Sequence, residues 1–322
     1  MAITALFISM PLLHAREDAE PDQEFLPGDR GADATYVYAV KEDRELLMDI
    51  YYPREGSETT YKGQRKPTLL FSFGGGFLYG DRKKPVDVIW MNEMARRGFT
   101  CVSIDYRLGL KGVKSAPGLG SVNQIDKAIH LVVEDIFSAT DFILKNAEDL
   151  QIDPEQLILA GSSAGAISSL QADYELCNRT SYAGILPENF RYAGVISFSG
   201  AILSREGLLD YRKSAPAPTL LFHGTKDKVV DYKQIRFFNL GFFGSDKIAK
   251  RFKHFDYNYR ILRFKGNGHE VANSEMQNMN EMEDFIYKNI MEGRKKTVDA
   301  LIDNPEIEKG TNYANRKELF NE

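Results

Sequence analysis

The stretch QLILAGSSAGA, residues 156–166, decides the fold of this chain. It begins as a short apolar run, which is typical of a buried strand, and it ends in residues that start a helix. The turn between them carries the pattern G-x-S-x-G, formed by Gly161, Ser162, Ser163, Ala164 and Gly165. Flanking glycines permit a strained turn and let strand and helix approach closely. The pattern predicts that Ser163 is a nucleophile at the carboxyl edge of a sheet, with Ser162 as its rival.

Around this stretch, short apolar runs alternate with longer helical segments. The runs TLLFSF, FTCVSIDY, QLILAG, YAGVISFSG, TLLFHG and YRILRF lie at residues 68–73, 99–106, 156–161, 192–200, 219–224 and 259–264. Continuous apolar runs are typical of strands buried on both faces of a parallel sheet. Helices are predicted between and after them at residues 86–97, 121–147, 164–176, 232–242 and 273–291. The alternation therefore predicts βαβ units and a mostly parallel sheet.

Two further strands are predicted at residues 35–40 and 46–53, where β-branched and aromatic residues flank a charged turn. They predict an antiparallel hairpin at the edge of the sheet. We interpret residues 34–291 as one α/β domain, a mostly parallel central sheet with an antiparallel N-terminal hairpin and helices on both faces. Residues 292–322 are interpreted as a charged tail with a short helix around residues 298–302.

Residues 1–15, MAITALFISMPLLHA, are apolar and end at a small residue before the chain becomes charged. This is the pattern of a cleaved secretory signal, although no Lys or Arg precedes it. The segment is shorter than the about 20 residues that span a bilayer, so no stable membrane insertion is expected. We interpret residues 16–33 as a linker and expect a secreted or periplasmic protein. The alternative is a hydrophobic segment that packs on the domain of a cytoplasmic protein.

The composition argues against several function classes. The formal net charge of −5 is too small to indicate a nucleic-acid partner. The basic runs at residues 82–84 and 247–254 are short and are interpreted as solvated faces. The two cysteines stand alone and the five histidines are scattered, so no metal-binding spacing is present. Neither a cofactor nor a metal is expected.

A run of three glycines, Gly74, Gly75 and Gly76, ends the strand predicted at residues 68–73. Glycines expose successive backbone N–H groups without side chains that would block a ligand oxygen. An oxyanion hole needs such donors, supplied by this loop together with the residue after the nucleophile, Ala164. We predict that Gly75 and Gly76 are the loop donors. The alternative is a loop in which the glycines provide flexibility only.

Serine is a weak nucleophile and requires an adjacent base. His269 follows the last predicted strand, in FKGNGHEVA, where this arrangement carries its base. The other four histidines lie in the apolar N-terminal segment, in a predicted helix, at a strand end and in a basic loop. We therefore predict that His269 is the base. The histidine at the strand end, His223, is predicted to brace the loop that follows it.

The acid that orients the base should lie between the serine and the histidine in the chain. The segment TLLFHGTKDKVVDY offers Asp227 and Asp231. Asp227 is closer to the strand end and is predicted to fix the tautomer of His269 and to stabilise its protonated form. Asp231 is interpreted as the residue that begins the next predicted helix.

With these residues assembled, the chain resembles the carboxylesterase and hormone-sensitive-lipase-like branch of the α/β-hydrolase superfamily. The landmarks of the resemblance are residues 74–77, 103–108, 161–165, 223–227 and 268–269. That family usually begins its glycine run with histidine, where this chain has Phe73, so the bracing of the loop differs while the backbone donors remain.

The resemblance implies a serine carboxylesterase that hydrolyses a carboxylic ester through an acyl-enzyme. Export would favour acyl groups of glycans, such as acetyl or feruloyl esters, so the expected partner is a small-molecule or glycan-linked ester. One alternative is a peptidase or amidase that uses the same three residues. Another is a catalytically inactive binding protein, which the presence of all three residues disfavours.

Overall fold

The structure is a computed structural model, which describes residues 30–114, 122–310, 313 and 315–319. The predicted signal at residues 1–15 and nearly all of the predicted linker lie outside the described residues. Within the described ranges, no helix combines the length and the apolar character needed to cross a membrane.

The described residues form strands in both halves of the chain, with α-helices between many of them. The strands are β1 (Ala34–Lys41), β2 (Arg44–Tyr51), β3 (Thr60–Tyr61), β4 (Gln64–Arg65), β5 (Thr68–Ser72), β6 (Thr100–Ile104), β7 (Leu157–Ser162), β8 (Gly194–Phe198), β9 (Ala201–Ser204), β10 (Thr219–Gly224), β11 (Gln234–Phe237), β12 (Leu240–Gly244), β13 (Tyr259–Phe264) and β14 (Val298–Ile302). The helices are α1 (Pro85–Arg96), α2 (Val122–Lys145), α3 (Ala164–Asn178), α4 (Ser245–His254), α5 (Met279–Phe285) and α6 (Arg316–Leu319).

The main sheet has nine strands in the order β1-β2-β6-β5-β7-β8-β10-β13-β14. β1 pairs with β2 and β2 with β6 in antiparallel fashion, and every later neighbour pair is parallel. The predicted architecture is thereby confirmed, including the antiparallel hairpin at one edge.

The central strands explain the continuous apolar runs of the sequence. Every residue of β5, β6, β7, β8 and β10 is buried. A strand can be buried throughout only when both faces of the sheet are covered, so side chains of both parities must be apolar. The carboxyl ends of these strands meet at one edge, and this edge carries the residues that the sequence singles out.

A second, three-stranded sheet stands apart from the main sheet, in the order β11-β12-β9. The prediction of a helix at residues 232–242 is wrong, because this segment forms the hairpin of β11 and β12. Phe238 adopts a left-handed conformation with φ of 52°, as a residue in a two-residue hairpin turn does. The antiparallel pairing of β12 with β9 settles the conformation of a segment whose pattern alone is ambiguous.

The C-terminal part of the chain differs from its prediction in two places. The helix predicted around residues 298–302 is instead β14, an edge strand parallel to β13. The helix predicted at residues 273–291 is broken into a 3₁₀ turn at Met276–Asn278, the short α5 and a π-helical turn at Ile286–Met291.

The basic run at residues 247–254 belongs to α4, for which no helix was predicted.

Candidate active site

The turn from β7 into α3 has the strained geometry that the glycine pattern predicts. Ser163 has φ of 49° and ψ of −113°, a backbone region that residues with a Cβ rarely adopt. A Cβ at Gly161 would lie 2.5 Å from the carbonyl carbon of Gly165, and one at Gly165 would lie 1.9 Å from the carbonyl oxygen of Ser72. The Ser163 N–H donates to the Phe198 carbonyl of β8 at 2.8 Å. The turn is therefore locked by close backbone contacts on both sides.

Ser163, His269 and Asp227 lie in one hydrogen-bonded row. The Ser163 Oγ is 2.8 Å from His269 Nε2, and His269 Nδ1 is 2.8 Å from Asp227 Oδ2. A carboxylate only accepts, so Nδ1 carries the proton and, in the neutral ring, Nε2 accepts from the serine hydroxyl. The structure thus brings together the three side chains that the sequence singles out, in the order that the predicted nucleophile, base and orienting acid require.

Asp227 is held by contacts on both of its oxygens. Its Oδ1 accepts from the backbone N–H groups of Val229 and Val230 at 2.9 and 3.0 Å. Burial alone would raise the pKa of Asp227, but the charge of His269 and hydrogen bonds from His223 and His269 lower it well below its ordinary value. The carboxyl therefore remains ionised beside the imidazole.

His223 braces the loop that carries Asp227, as predicted, and we call this loop the acid loop. Its Nε2 lies 3.0 Å from the Val230 carbonyl and 3.3 Å from Asp227 Oδ2, and its Nδ1 lies 2.8 Å from Ser245 Oγ. Because a carbonyl oxygen only accepts, Nε2 carries the proton of the neutral ring. Asp231, the rival acid, points elsewhere and forms an ion pair with Arg316.

The rival serine is also occupied elsewhere. The Ser162 hydroxyl donates to the Ala272 carbonyl at 2.5 Å. This bond ties β7 to the 3₁₀ turn His269–Asn273 that carries the predicted base. Ser162 therefore helps to position the base loop rather than facing the site.

The glycine run lies against the turn that carries Ser163, since a Cβ at Gly74 would lie 3.3 Å from the Ser163 Cβ. Gly76 and Ala164 line the same pocket as Ser163. Gly75 is not among the residues that line it, and its carbonyl accepts from the N–H groups of Leu78 and Tyr79 at 3.0 and 3.3 Å. Gly76 thus lies in the pocket with Ser163, and the assignment of Gly75, Gly76 and Ala164 as oxyanion donors stays a prediction.

A pocket of about 350 Å³ opens directly over Ser163. Apolar side chains form most of its surface, and they include Leu110, Ile125, Ile167, Leu203, Val229 and Val230. Ser163 and Arg316 are the two polar side chains among the described residues that line it. The volume is at the small end of the range for ligand sites, and the lining favours an apolar group.

One wall of the pocket is the β11–β12 hairpin. Ile235, Phe237, Leu240 and Phe242 all line the pocket, and we call these four side chains the hairpin wall. Ile235 is paired with Phe242 and Phe237 with Leu240 across the two strands. Since alternate residues of a strand face the same side, one face of the hairpin supplies all four.

A second wall comes from the C-terminal segment of the described chain. The Tyr313 and Tyr79 hydroxyls lie 2.8 Å apart, which links this segment to the loop after the glycine run. Arg316 donates from Nε to the Val229 carbonyl at 2.8 Å and pairs with Asp231. Residues that the sequence analysis assigned to a tail thus contact both the glycine loop and the acid loop.

Sequence reasoning missed both walls. The alternation of apolar residues at positions 235, 237, 240 and 242 was the available signal for the hairpin wall. For Arg316 the sequence holds no such signal, because its place depends on contacts with residues more than 80 positions away.

Two buried carboxyl groups, of Asp87 and Glu275, lie behind the base loop. Burial raises the pKa of both above the ordinary range, and the charge of Asp87 raises that of Glu275 further. Both oxygens of Asp87 and Oε1 of Glu275 have no hydrogen-bond partner among the described residues. Lys84 Nζ is 3.8 Å from Asp87 Oδ1.

In the described part of the chain, no three His, Cys, Asp or Glu side chains are grouped so as to hold a metal ion.

Known proteins share this fold and part of this sequence. A protein-family model described as BD-FAE matches residues 48–202. The apo form of Thermogutta terrifontis esterase 2 has a TM-score of 0.57 at 22% sequence identity, covering 80% of this chain and 94% of that one. The chain has the α/β-hydrolase fold, and it is similar to esterases in structure and, over part of its length, in sequence.

Two curated proteins match shorter stretches. Gut esterase 1 of Caenorhabditis elegans is 28% identical over 141 residues, which cover 43% of this chain and 22% of that protein. The non-reducing polyketide synthase trt4 of Aspergillus terreus is 37% identical over 100 residues, which cover 28% of this chain and 4% of that protein. The chain thus spans less than a quarter of the length of these relatives.

Proposed function

We propose that this protein is a carboxylic-ester hydrolase that uses Ser163 as nucleophile, His269 as general base and acid, and Asp227 as the group that orients the base. The observation that carries the proposal is the unbroken row from Ser163 Oγ to His269 Nε2 and from His269 Nδ1 to Asp227 Oδ2, with both distances at 2.8 Å. The similarity to esterases in structure and in part of the sequence supports the same reaction class.

The first half of the reaction forms an acyl-enzyme. The Ser163 Oγ bonds to the ester carbonyl carbon while its proton passes to His269 Nε2, and Asp227 stabilises the imidazolium. The carbonyl oxygen becomes an oxyanion, which accepts hydrogen bonds from the N–H groups of the predicted donors Gly76 and Ala164. The bond between the carbonyl carbon and the alcohol oxygen then breaks, and the alcohol leaves with the proton from Nε2.

The second half releases the acid. A water molecule gives a proton to His269 Nε2 as its oxygen bonds to the acyl carbon. The bond from that carbon to Ser163 Oγ breaks, and Oγ recovers the proton from Nε2. The pKa of Asp227 is low, so this carboxylate remains charged throughout. Each half of the reaction returns His269 to its neutral form.

The lining and the volume of the pocket favour some acyl groups over others. The apolar lining offers few partners for hydroxyl groups, so the part of the substrate inside the pocket is an apolar or aromatic group. An acetyl group would leave most of the about 350 Å³ unfilled. Of the two acyl groups considered for a glycan substrate, feruloyl therefore fits better than acetyl, with the sugar outside the pocket.

The test is the loss of ester hydrolysis in Ser163→Ala. We expect kcat for p-nitrophenyl butyrate to fall by about 10⁶, because removing a nucleophile leaves only binding and oxyanion contacts. A fluorophosphonate probe should label the parent protein and not the variant. Ser162→Ala is the matched control and should still be labelled.

Several results would count against the proposal. Retained turnover in Ser163→Ala, or labelling that Ser162→Ala removes and Ser163→Ala preserves, would show that the nucleophile is misassigned. Aminoacyl amides hydrolysed faster than esters would favour a peptidase or amidase instead. No turnover of any ester or amide and no labelling of the parent protein would favour an inactive binding protein.

A further inference from the structure

The apolar surface of the hairpin wall continues past the mouth of the pocket. Phe237 lines the pocket and yet 65% of its surface is exposed to solvent. The next residue, Phe238 at the hairpin turn, is 79% exposed. The two rings pack edge to face with centroids 4.6 Å apart. Adjacent exposed aromatic side chains beside an apolar pocket are typical of a binding surface.

The pocket and this exposed surface form one stripe. Leu203 of β9 is paired with Phe242, which is paired in turn with Ile235. The next cross-strand pair on the same face is Phe237 with Leu240, and the hairpin turn with Phe238 follows. Apolar side chains therefore run along one face of the three-stranded sheet from beside Ser163 to the solvent.

We infer that the substrate is an ester with an extended alkyl arm, which fills the pocket and then lies along Phe237 and Phe238. This inference rests on the proposed function and names the substrate class of the same site. The carbonyl lies at Ser163 and the first carbons of the arm occupy the cavity. A cavity of about 350 Å³ has room for roughly a dozen water-sized groups. A butyryl chain fills only part of this space, whereas a chain of about ten carbons reaches the mouth.

The chemistry of the stripe excludes a polar arm. Sugar hydroxyls placed along the hairpin wall would lose water without gaining partners, because the four side chains of this wall are apolar. Each methylene that leaves water contributes about four-fold in affinity, so the length of the arm determines the preference. The arm belongs either to the acid or to the alcohol of the ester, and the two cases are separated by experiment.

The experiment compares chain-length profiles. Two series of soluble esters are used below their micelle concentrations: p-nitrophenyl esters from acetate to decanoate, and alkyl acetates from ethyl to decyl. In one of the series, kcat/KM should rise at least about ten-fold from the two-carbon to the ten-carbon arm. The variant with Phe237→Ser and Phe238→Ser should lower the ten-carbon to four-carbon ratio about ten-fold. Phe237→Leu should retain most of that ratio.

Phe255→Ser serves as the matched control, since Phe255 is 39% exposed, lies at the end of α4 and is not among the residues that line the pocket. Its ratio should equal that of the parent protein. Phe237 and Phe238 are mostly exposed, so folding should survive, and thermal unfolding of every variant is measured alongside. If the double variant does not fold, Phe238→Ser alone should lower the ratio about three-fold.

Each outcome decides a separate point. A lower ratio in the acyl series or in the alcohol series supports the inference and assigns the arm to that side. Profiles that the phenylalanine substitutions leave unchanged, or rates that fall steadily from the shortest ester in both series, overturn it. Absence of ester turnover and of fluorophosphonate labelling in the parent protein would instead overturn the proposed function.

Discussion

The two sides of the pocket are held in place by different means. On one side, Ser163, His269 and Asp227 are all buried, and hydrogen bonds join their side chains into one row. On the other side, the hairpin wall belongs to strands of four and five residues, and its outermost member, Phe237, is 65% exposed. The first side is rigid and polar, whereas the second is apolar and half in solvent.

The difference reflects what each side has to do. Proton transfer and attack on a carbonyl require atoms held within about 0.5 Å of their working positions. Apolar binding is non-directional and depends on the area removed from water. Substitutions on the first side should therefore change kcat for every ester, while substitutions on the second should change which ester is preferred.

After Ser163→Ala, the largest effect should come from the acid. Asp227→Asn should lower kcat for p-nitrophenyl butyrate by about 10⁴, because the amide would favour the wrong tautomer of His269. Asp231→Asn keeps the row intact and should lower kcat less than about ten-fold, which makes it the matched control. The opposite order of the two effects would assign the acid to Asp231.

A smaller effect, on stability, should follow when a Cβ is added in the turn from β7 into α3. The Cβ of Gly165→Ala would lie 1.9 Å from the Ser72 carbonyl oxygen, so strand and helix would have to separate. We expect the free energy of unfolding to fall by about 3 kcal/mol or more. Gly184→Ala, where no atom lies within 4 Å of the new Cβ, should change it by less than about 0.5 kcal/mol. Equal urea midpoints for both variants would show that the rigid side tolerates movement.

The smallest effect concerns pH. Burial raises the pKa of Glu275, and the charge of Asp87 raises it further, so the folded chain retains protons that the unfolded chain releases above about pH 4. The free energy of unfolding should therefore fall as pH rises from there through the raised folded values. Glu275→Gln removes one of these titrations and should make the decline in melting temperature between about pH 5 and about pH 9 shallower.

The exposed Glu155 provides the control for this measurement. Glu155→Gln should leave the decline as steep as in the parent protein. A decline that Glu275→Gln leaves equally steep would mean that the Glu275 carboxyl is hydrated and titrates in its ordinary range.

The sequence was sufficient to select the three side chains that the structure joins in one row. The strands there are continuous apolar runs. The G-x-S-x-G pattern depends on glycines because a Cβ at Gly161 or Gly165 would clash with nearby backbone atoms. These are local requirements, which a sequence records directly. Asp227 and His269 followed from their order in the chain relative to the strands.

The hairpin wall could not be predicted in the same way. Apolar residues at 235, 238 and 242 fit a helical period, while 235 with 237 and 240 with 242 fit a strand. Pairing of β12 with β9 selects the strand, and that contact is invisible in the segment itself. The same holds for β14, whose partner β13 lies more than 30 residues earlier.

The two ends of the β11–β12 hairpin lie next to each other. The Gly244 N–H donates to the Lys233 carbonyl at 2.9 Å, so the ends of the segment are already joined. A segment with fixed, adjacent ends can be exchanged for one of another length at a small cost in loop-closure entropy. The stretch between Lys233 and Gly244 can therefore be replaced as a unit in directed evolution. Libraries grafted there would alter the accepted ester while Ser163, His269 and Asp227 keep their places.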